Sequence, residues 1–96
     1  MTLEELRRSS RHQILELAAS YGARNVRVFG STARGDNSPA SDVDLLVDLD
    51  SDRTLMDLGG LLIELQEMLH VPVDVATERM LRPKVRDQAL REAVQL

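Results

Sequence analysis

The chain has 96 residues, a formal net charge of −4 and no cysteine. That length suits one domain around one core and is too short for two. The missing thiols exclude a disulfide framework and a thiolate metal site. The acidity argues against a direct nucleic-acid binder, which normally carries a basic stripe. The charged N-terminal stretch lacks the apolar segment of a signal peptide, and no apolar run reaches membrane-spanning length. A cytoplasmic protein is therefore expected. Tyr21 and Phe29 are the only aromatics, so the core has to be built from Leu, Val, Ile and Ala.

Thr2 with Glu5 fits a capping box, so a helix is predicted from Leu3. Leu3, Leu6, Ile14, Leu17, Ala18 and Tyr21 recur on one face at helical spacing, and Gly22 closes the helix. His12 lacks a metal-binding neighbour and reads as solvent-exposed. Asn25 to Phe29 reads as a strand with Val26 and Val28 on one face. Gly30 breaks it, and Ser31 to Gly35 leaves room for one or two helical turns. Asn37, Ser38 and Pro39 mark a loop, which Ser41 can cap.

Val43 to Leu49 reads as a second strand. Val43, Leu45, Val47 and Leu49 form its apolar face, with Asp42, Asp44, Asp48 and Asp50 on the other. Thr54 caps a helix whose apolar stripe is Leu58, Leu61, Leu62, Leu65 and Leu69. Gly59-Gly60 inside it costs about 1 kcal/mol per glycine against Ala, so close packing or a kink is expected there. Val71 to Ala76 is a third strand. Pro72 suits an edge or a strand start, and Asp74 lies on the face opposite the valines. Pro83 opens a last helix, with Val85, Ala89, Leu90, Ala93 and Val94 as its apolar positions. The fold expected is α/β (α+β): a small mixed sheet with helices packed on one face, the other face left open and acidic.

The stretch VFGSTARGDNSPASDVDLLV, residues 28–47, carries the chemistry. Asp42 and Asp44 are two apart, so on a strand both point the same way. Two close carboxylates repel unless a cation sits between them, and Mg²⁺ favours a few carboxylates plus phosphate oxygens. Glycine at position 30 lets the backbone approach a ligand. If Ser31 starts a helical turn, free N–H groups there face an anion. A metal–triphosphate site follows. Asp48 and Asp50 read as solvated residues near the strand end.

Gly-Ser, a short helix and then Asp-x-Asp resembles the nucleotidyltransferase superfamily of the DNA polymerase β palm and the kanamycin nucleotidyltransferases. GSTARG followed by SDVDLLV is most similar to its minimal members, small domains often found as the antitoxin of a pair with a HEPN-domain toxin. The resemblance spans nearly the whole chain and makes residues 1–96 one nucleotidyltransferase domain. It implies transfer of AMP from ATP to a hydroxyl of the partner protein. Asp42 and Asp44 would hold two Mg²⁺ ions, and Asp74 would be a third metal-binding and catalytic carboxylate. Gly30 and Ser31 would hold phosphates, with Arg34 either neutralising charge or serving structure. Two other functions stay open: an antitoxin that acts by contact alone, and a transferase for a small molecule such as an antibiotic. Nothing in the sequence decides whether the chain forms a homo-oligomer.

Overall fold

The computed structural model describes all 96 residues. The N-terminal helical segment starts where Thr2 Oγ1 accepts the Glu5 N–H at 3.1 Å. It runs through α1 (Leu3–Glu5), a π-helical turn (Leu6–Ser10) and α2 (Arg11–Ser20). The π turn was not expected from the 3.6-residue period. It lets Leu6, Ser10, Ile14 and Ala18, spaced four apart, all turn inward. Gly22 follows with φ +75°, as a helix-closing glycine should.

Four strands form one mixed sheet in the order β3-β2-β1-β4: β1 (Ala23–Phe29), β2 (Val43–Leu49), β3 (Val73–Ala76) and β4 (Val94–Gln95). β1 pairs antiparallel with β2 and with β4, and β2 pairs parallel with β3. The parallel pair needs a crossover, and α4 (Leu55–Leu69) supplies it. A capping box starts α4: the Met56 N–H reaches Thr54 Oγ1 at 3.2 Å and the Thr54 N–H reaches Asp57 Oδ2 at 2.9 Å. No helix is long and apolar enough to cross a membrane.

The main core joins Val26, Val28, Val43, Leu45, Val47, Val73 and Val75 of the sheet to Leu6, Ile14 and Ala18 and to Leu58, Leu61, Leu65 and Leu69 of α4. The expected stripes are there, although Leu62 sits at the edge of its stripe, only partly buried. The α4 glycines produce no break. An added Cβ on Gly60 would stand 2.7 Å from Tyr21 Cε1, so Gly60 admits the tyrosine, whereas Gly59 faces open space.

Several boundaries differ from the sequence reading. β1 begins two residues early, at Ala23, and carries a register shift between Arg24 and Arg27. Asn25 takes φ +52° there, a conformation Asn tolerates better than most residues. β3 starts at Val73, after Pro72.

The largest difference lies at the C-terminal end. A 3₁₀ turn (Glu78–Met80) leads to α5 (Pro83–Glu92), which stops at Glu92. Val94, read as helical, instead enters β4, where Arg27 pairs with Gln95 and Val28 with Val94. Leu96 is buried in the main core. Nor is the second face of the sheet bare: Ala89 of α5 packs on Phe29 and Leu46. Two apolar residues in a row, Leu45-Leu46, make β2 apolar on both faces, and α5 covers the second.

Candidate active site

β1 delivers the chain to Gly30, whose φ of +72° turns it directly into α3 (Gly30–Arg34). A Cβ on Gly30 would lie 2.3 Å from Asp44 Oδ2. Only glycine lets that carboxylate rest against the turn. α3 closes on Gly35, at φ +81°. Thr32, almost fully buried, donates its hydroxyl to the Asp42 carbonyl at 3.4 Å, tying α3 to the start of β2. In the intervening loop, Ser41 Oγ accepts the Ser38 N–H at 2.9 Å. The cap expected of Ser41 is present.

Asp44 sits opposite Phe29 in the β1–β2 ladder and beside Asp74 in the parallel β2–β3 ladder. Strand alternation therefore puts Asp42, Asp44 and Asp74 on the same side of the sheet. Asp42 and Asp74 are exposed and Asp44 is half-buried. Asp44 feels the crowding. Burial first, and then the charges of Asp74 and Asp42, push its carboxyl from 3.8 up to about 6, while Arg34 pulls the other way.

None of these three carboxylates has an ion-pair partner. The acids nearby do: Asp48 pairs with Arg27 at 3.0 Å and Arg24 at 3.7 Å, and Asp50 pairs with Arg24 at 3.0 Å. Asp48 and Asp50 are thus surface ion-pair partners and do not extend the acidic trio. Nor do the three carboxylates form a closed metal cage, since no group of three His, Cys, Asp or Glu is set to hold an ion by itself. The donor set still fits a hard divalent cation that takes part of its oxygen shell from a phosphate ligand. Uncompensated carboxylates facing open space are what such an ion would neutralise.

A cavity of about 420 Å³ lies over this face, lined by Gly30, Ser31, Asp42 and Asp44 on one side and by Val85, Gln88 and Glu92 of α5 on the other. Arg34 lines it as well, but its guanidinium is engaged: Nε donates to Asp36 Oδ2 at 3.1 Å and Nη1 to both Glu92 oxygens at 3.0 and 3.1 Å. Asp74 does not line this cavity. It stands one strand away, on β3. The cavity residues of α5 and the tie made by Thr32 escaped the sequence reading. The only available signal was Leu46, an apolar side chain on the acidic face that required a cover. A second cleft, of about 470 Å³, lies by Asp48, Asp50, Arg53 and Glu78, which are already ion-paired. His12 is exposed and pairs with Glu16 at 3.3 Å, as a solvent-facing histidine would.

A four-strand mixed sheet in which a Gly-Ser turn feeds an acidic strand is the fold of the minimal nucleotidyltransferases. The chain belongs to the nucleotidyltransferase domain family, whose model matches residues 11–96. A solved structure provisionally named a minimal nucleotidyltransferase is 49% identical, with a TM-score of 0.86 over 100% of this chain and 97% of that one. The protein adenylyltransferase MntA of Thermococcus cleftensis is 34% identical over 98% of this chain and 95% of its own. A protein of Methanocaldococcus jannaschii, provisionally named a protein adenylyltransferase, is 35% identical over 98% and 97%. A toxin–antitoxin crystal structure with AMP-PNP shares the fold at a TM-score of 0.76 and 20% identity, covering 90% of this chain and 71% of that one.

Proposed function

We propose that the chain, acting as one domain, is the antitoxin of a toxin–antitoxin pair and transfers AMP from ATP to a hydroxyl of its partner, a HEPN-domain toxin. The observation that carries this reading is the trio of unpaired carboxylates, Asp42, Asp44 and Asp74, beside the Gly30-Ser31 turn. The relative named protein adenylyltransferase MntA supports the class of acceptor. The partner follows from the resemblance read in the sequence.

In this reading Asp42 and Asp44 would hold two Mg²⁺ ions, with Asp74 as a further carboxylate ligand. Bound there, the metal would supply positive charge against the phosphates during transfer. Gly30 and Ser31 receive the β- and γ-phosphates against the turn, with Arg34 at their flank. The acceptor oxygen attacks the α-phosphorus in line, the bond to the bridging oxygen of the β-phosphate breaks, and pyrophosphate leaves. The hydroxyl proton passes to the exposed Asp74 carboxylate. α5 closes one wall and limits water at the reacting phosphate.

The test is the partner's intact mass after incubation with this protein, ATP and Mg²⁺. Wild type should add the mass of one AMP group, and Asp42→Asn/Asp44→Asn should add none while still co-purifying with the partner. Neutralisation of the toxin by wild type with no mass change would replace this reading with inhibition by contact alone.

A further inference from the structure

Arg34 has five N–H donors in a planar fork. Two of its three nitrogens are held by carboxylates: Nε by Asp36 at 3.1 Å and Nη1 by both oxygens of Glu92 at 3.0 and 3.1 Å. Nη2 makes no hydrogen bond within the protein. Glu92 is itself fixed. Gln88 Nε2 donates to it at 3.0 Å, and its side chain is only 17% exposed. The hydrogen bond from Gln88, then the one from Arg34, with the Gly30 N–H adding to them, hold its carboxyl below the usual range. Glu92 and Arg34 both line the cavity that Asp42 and Asp44 face. The field of Arg34 reaches Asp44, whose carboxyl it pulls down.

We infer that Glu92 is a positioning residue: the last residue of α5 locks the Arg34 guanidinium so that its one free nitrogen serves the phosphates of a bound nucleoside triphosphate. This rests on the nucleotide reading of the cavity. The lock matters because a free arginine side chain must lose rotamer freedom when it grips an anion, whereas one already held by two carboxylates has lost it. Contacts through two nitrogens, Nε to Asp36 and Nη1 to Glu92, also fix the plane of the fork, which a single hydrogen bond does not. Gln88, four residues before Glu92 on α5, sets the carboxylate that sets the arginine.

Titration calorimetry with ATP and Mg²⁺ tests this on wild type, Glu92→Gln, Glu92→Asp, Arg34→Ala and the double variant Arg34→Ala/Glu92→Gln. Glu92→Gln should weaken binding about two- to fivefold, the scale of a partly exposed ion pair. Glu92→Asp, which keeps the charge, should recover part of that loss. In the Arg34→Ala background, Glu92→Gln should change nothing, because Glu92 acts only through the arginine. Thermal melts of each variant without nucleotide show that the fold is intact. Tighter binding by Glu92→Gln would overturn the inference, since Glu92 would then be an anion competing with the triphosphate. An equal loss in the Arg34→Ala background would overturn it too, by making Glu92 a structural support of α5. If wild type binds no ATP with Mg²⁺, the nucleotide reading itself falls, and this inference with it.

Discussion

Asp44 has a measurable consequence without any ligand. Its carboxyl is raised from 3.8 to about 6, chiefly by burial and next by Asp74 and Asp42. A carboxyl that titrates higher folded than unfolded favours the folded state while it is protonated. That contribution is complete below pH 3.8 and is lost as pH rises through 6. Asp44→Asn has no charge to bury and avoids the loss. In EDTA, urea denaturation should therefore place Asp44→Asn ahead of wild type at pH 7.5, with the gap narrowing steadily toward pH 4. A gap that does not change with pH would mean that Asp44 is not the strained group described above. Residues of this kind were legible in the sequence because their spacing on a strand is rigid. Asp42, Asp44 and Asp74 needed only the period of two to be placed on one side. Arg34 was less legible, because its partners Asp36 and Glu92 come from different parts of the chain.

At the scale of elements, the two glycines of α4 separate intrinsic preference from packing. Gly59 faces open space, so Gly59→Ala should stabilise the protein by about 0.5–1 kcal/mol through helix propensity alone. Gly60 lies against Tyr21, and a Cβ there would come within 2.7 Å of the ring. Gly60→Ala should therefore gain nothing or lose stability, because the tyrosine has to shift and its hydrogen bond to Glu64 shifts with it. Chemical denaturation of the two variants decides this; equal gains in both would refute the packing account. Helical and strand periodicity made the two long helices and the first three strands legible, since each buries a regular stripe. β4 could not be read this way. Two residues carry no period, and their strand geometry is imposed by the free edge of β1. The π turn was hidden for a related reason: it inserts one residue into a helix whose apolar face still looks continuous. The position of α5 was likewise hidden: the sequence reading set all helices on one face, yet α5 lies against Phe29 and Leu46 on the other.

For the whole molecule, binding and folding are linked. A ligand that binds only the folded state stabilises it by about 2.7 kcal/mol at a hundred times its dissociation constant. At that saturation ATP with Mg²⁺ should raise the melting temperature of wild type by roughly 10–20 °C, at about 4–8 °C per kcal/mol for a domain of this size. ATP in EDTA should raise it far less, and Asp42→Asn/Asp44→Asn should not respond. A shift of the same size in EDTA would remove the metal from the proposed site. The net charge of −4 does not forbid a polyanionic ligand, because what matters is the local arrangement: in the proposed reading the carboxylate trio takes cations while the Gly30-Ser31 turn and Arg34 take phosphates.

The two ends of the chain are stitched together. Arg7 Nη2 donates to the Gln95 carbonyl at 2.6 Å and Arg11 Nε to the Leu96 carbonyl at 3.0 Å, while Leu96 itself donates its N–H to the Val26 carbonyl at 3.2 Å. During synthesis β1 therefore emerges with one edge bare and keeps it bare until residues 94 and 95 follow, since β4 is its only cover on that side. The wall formed by α5 (Pro83–Glu92) is made just before β4. A nascent chain would carry the Gly-Ser turn and the carboxylates of Asp42, Asp44 and Asp74 well before α5 closes the cavity beside them, so on the proposed reading the pocket is complete only once residues 83–92 have been made.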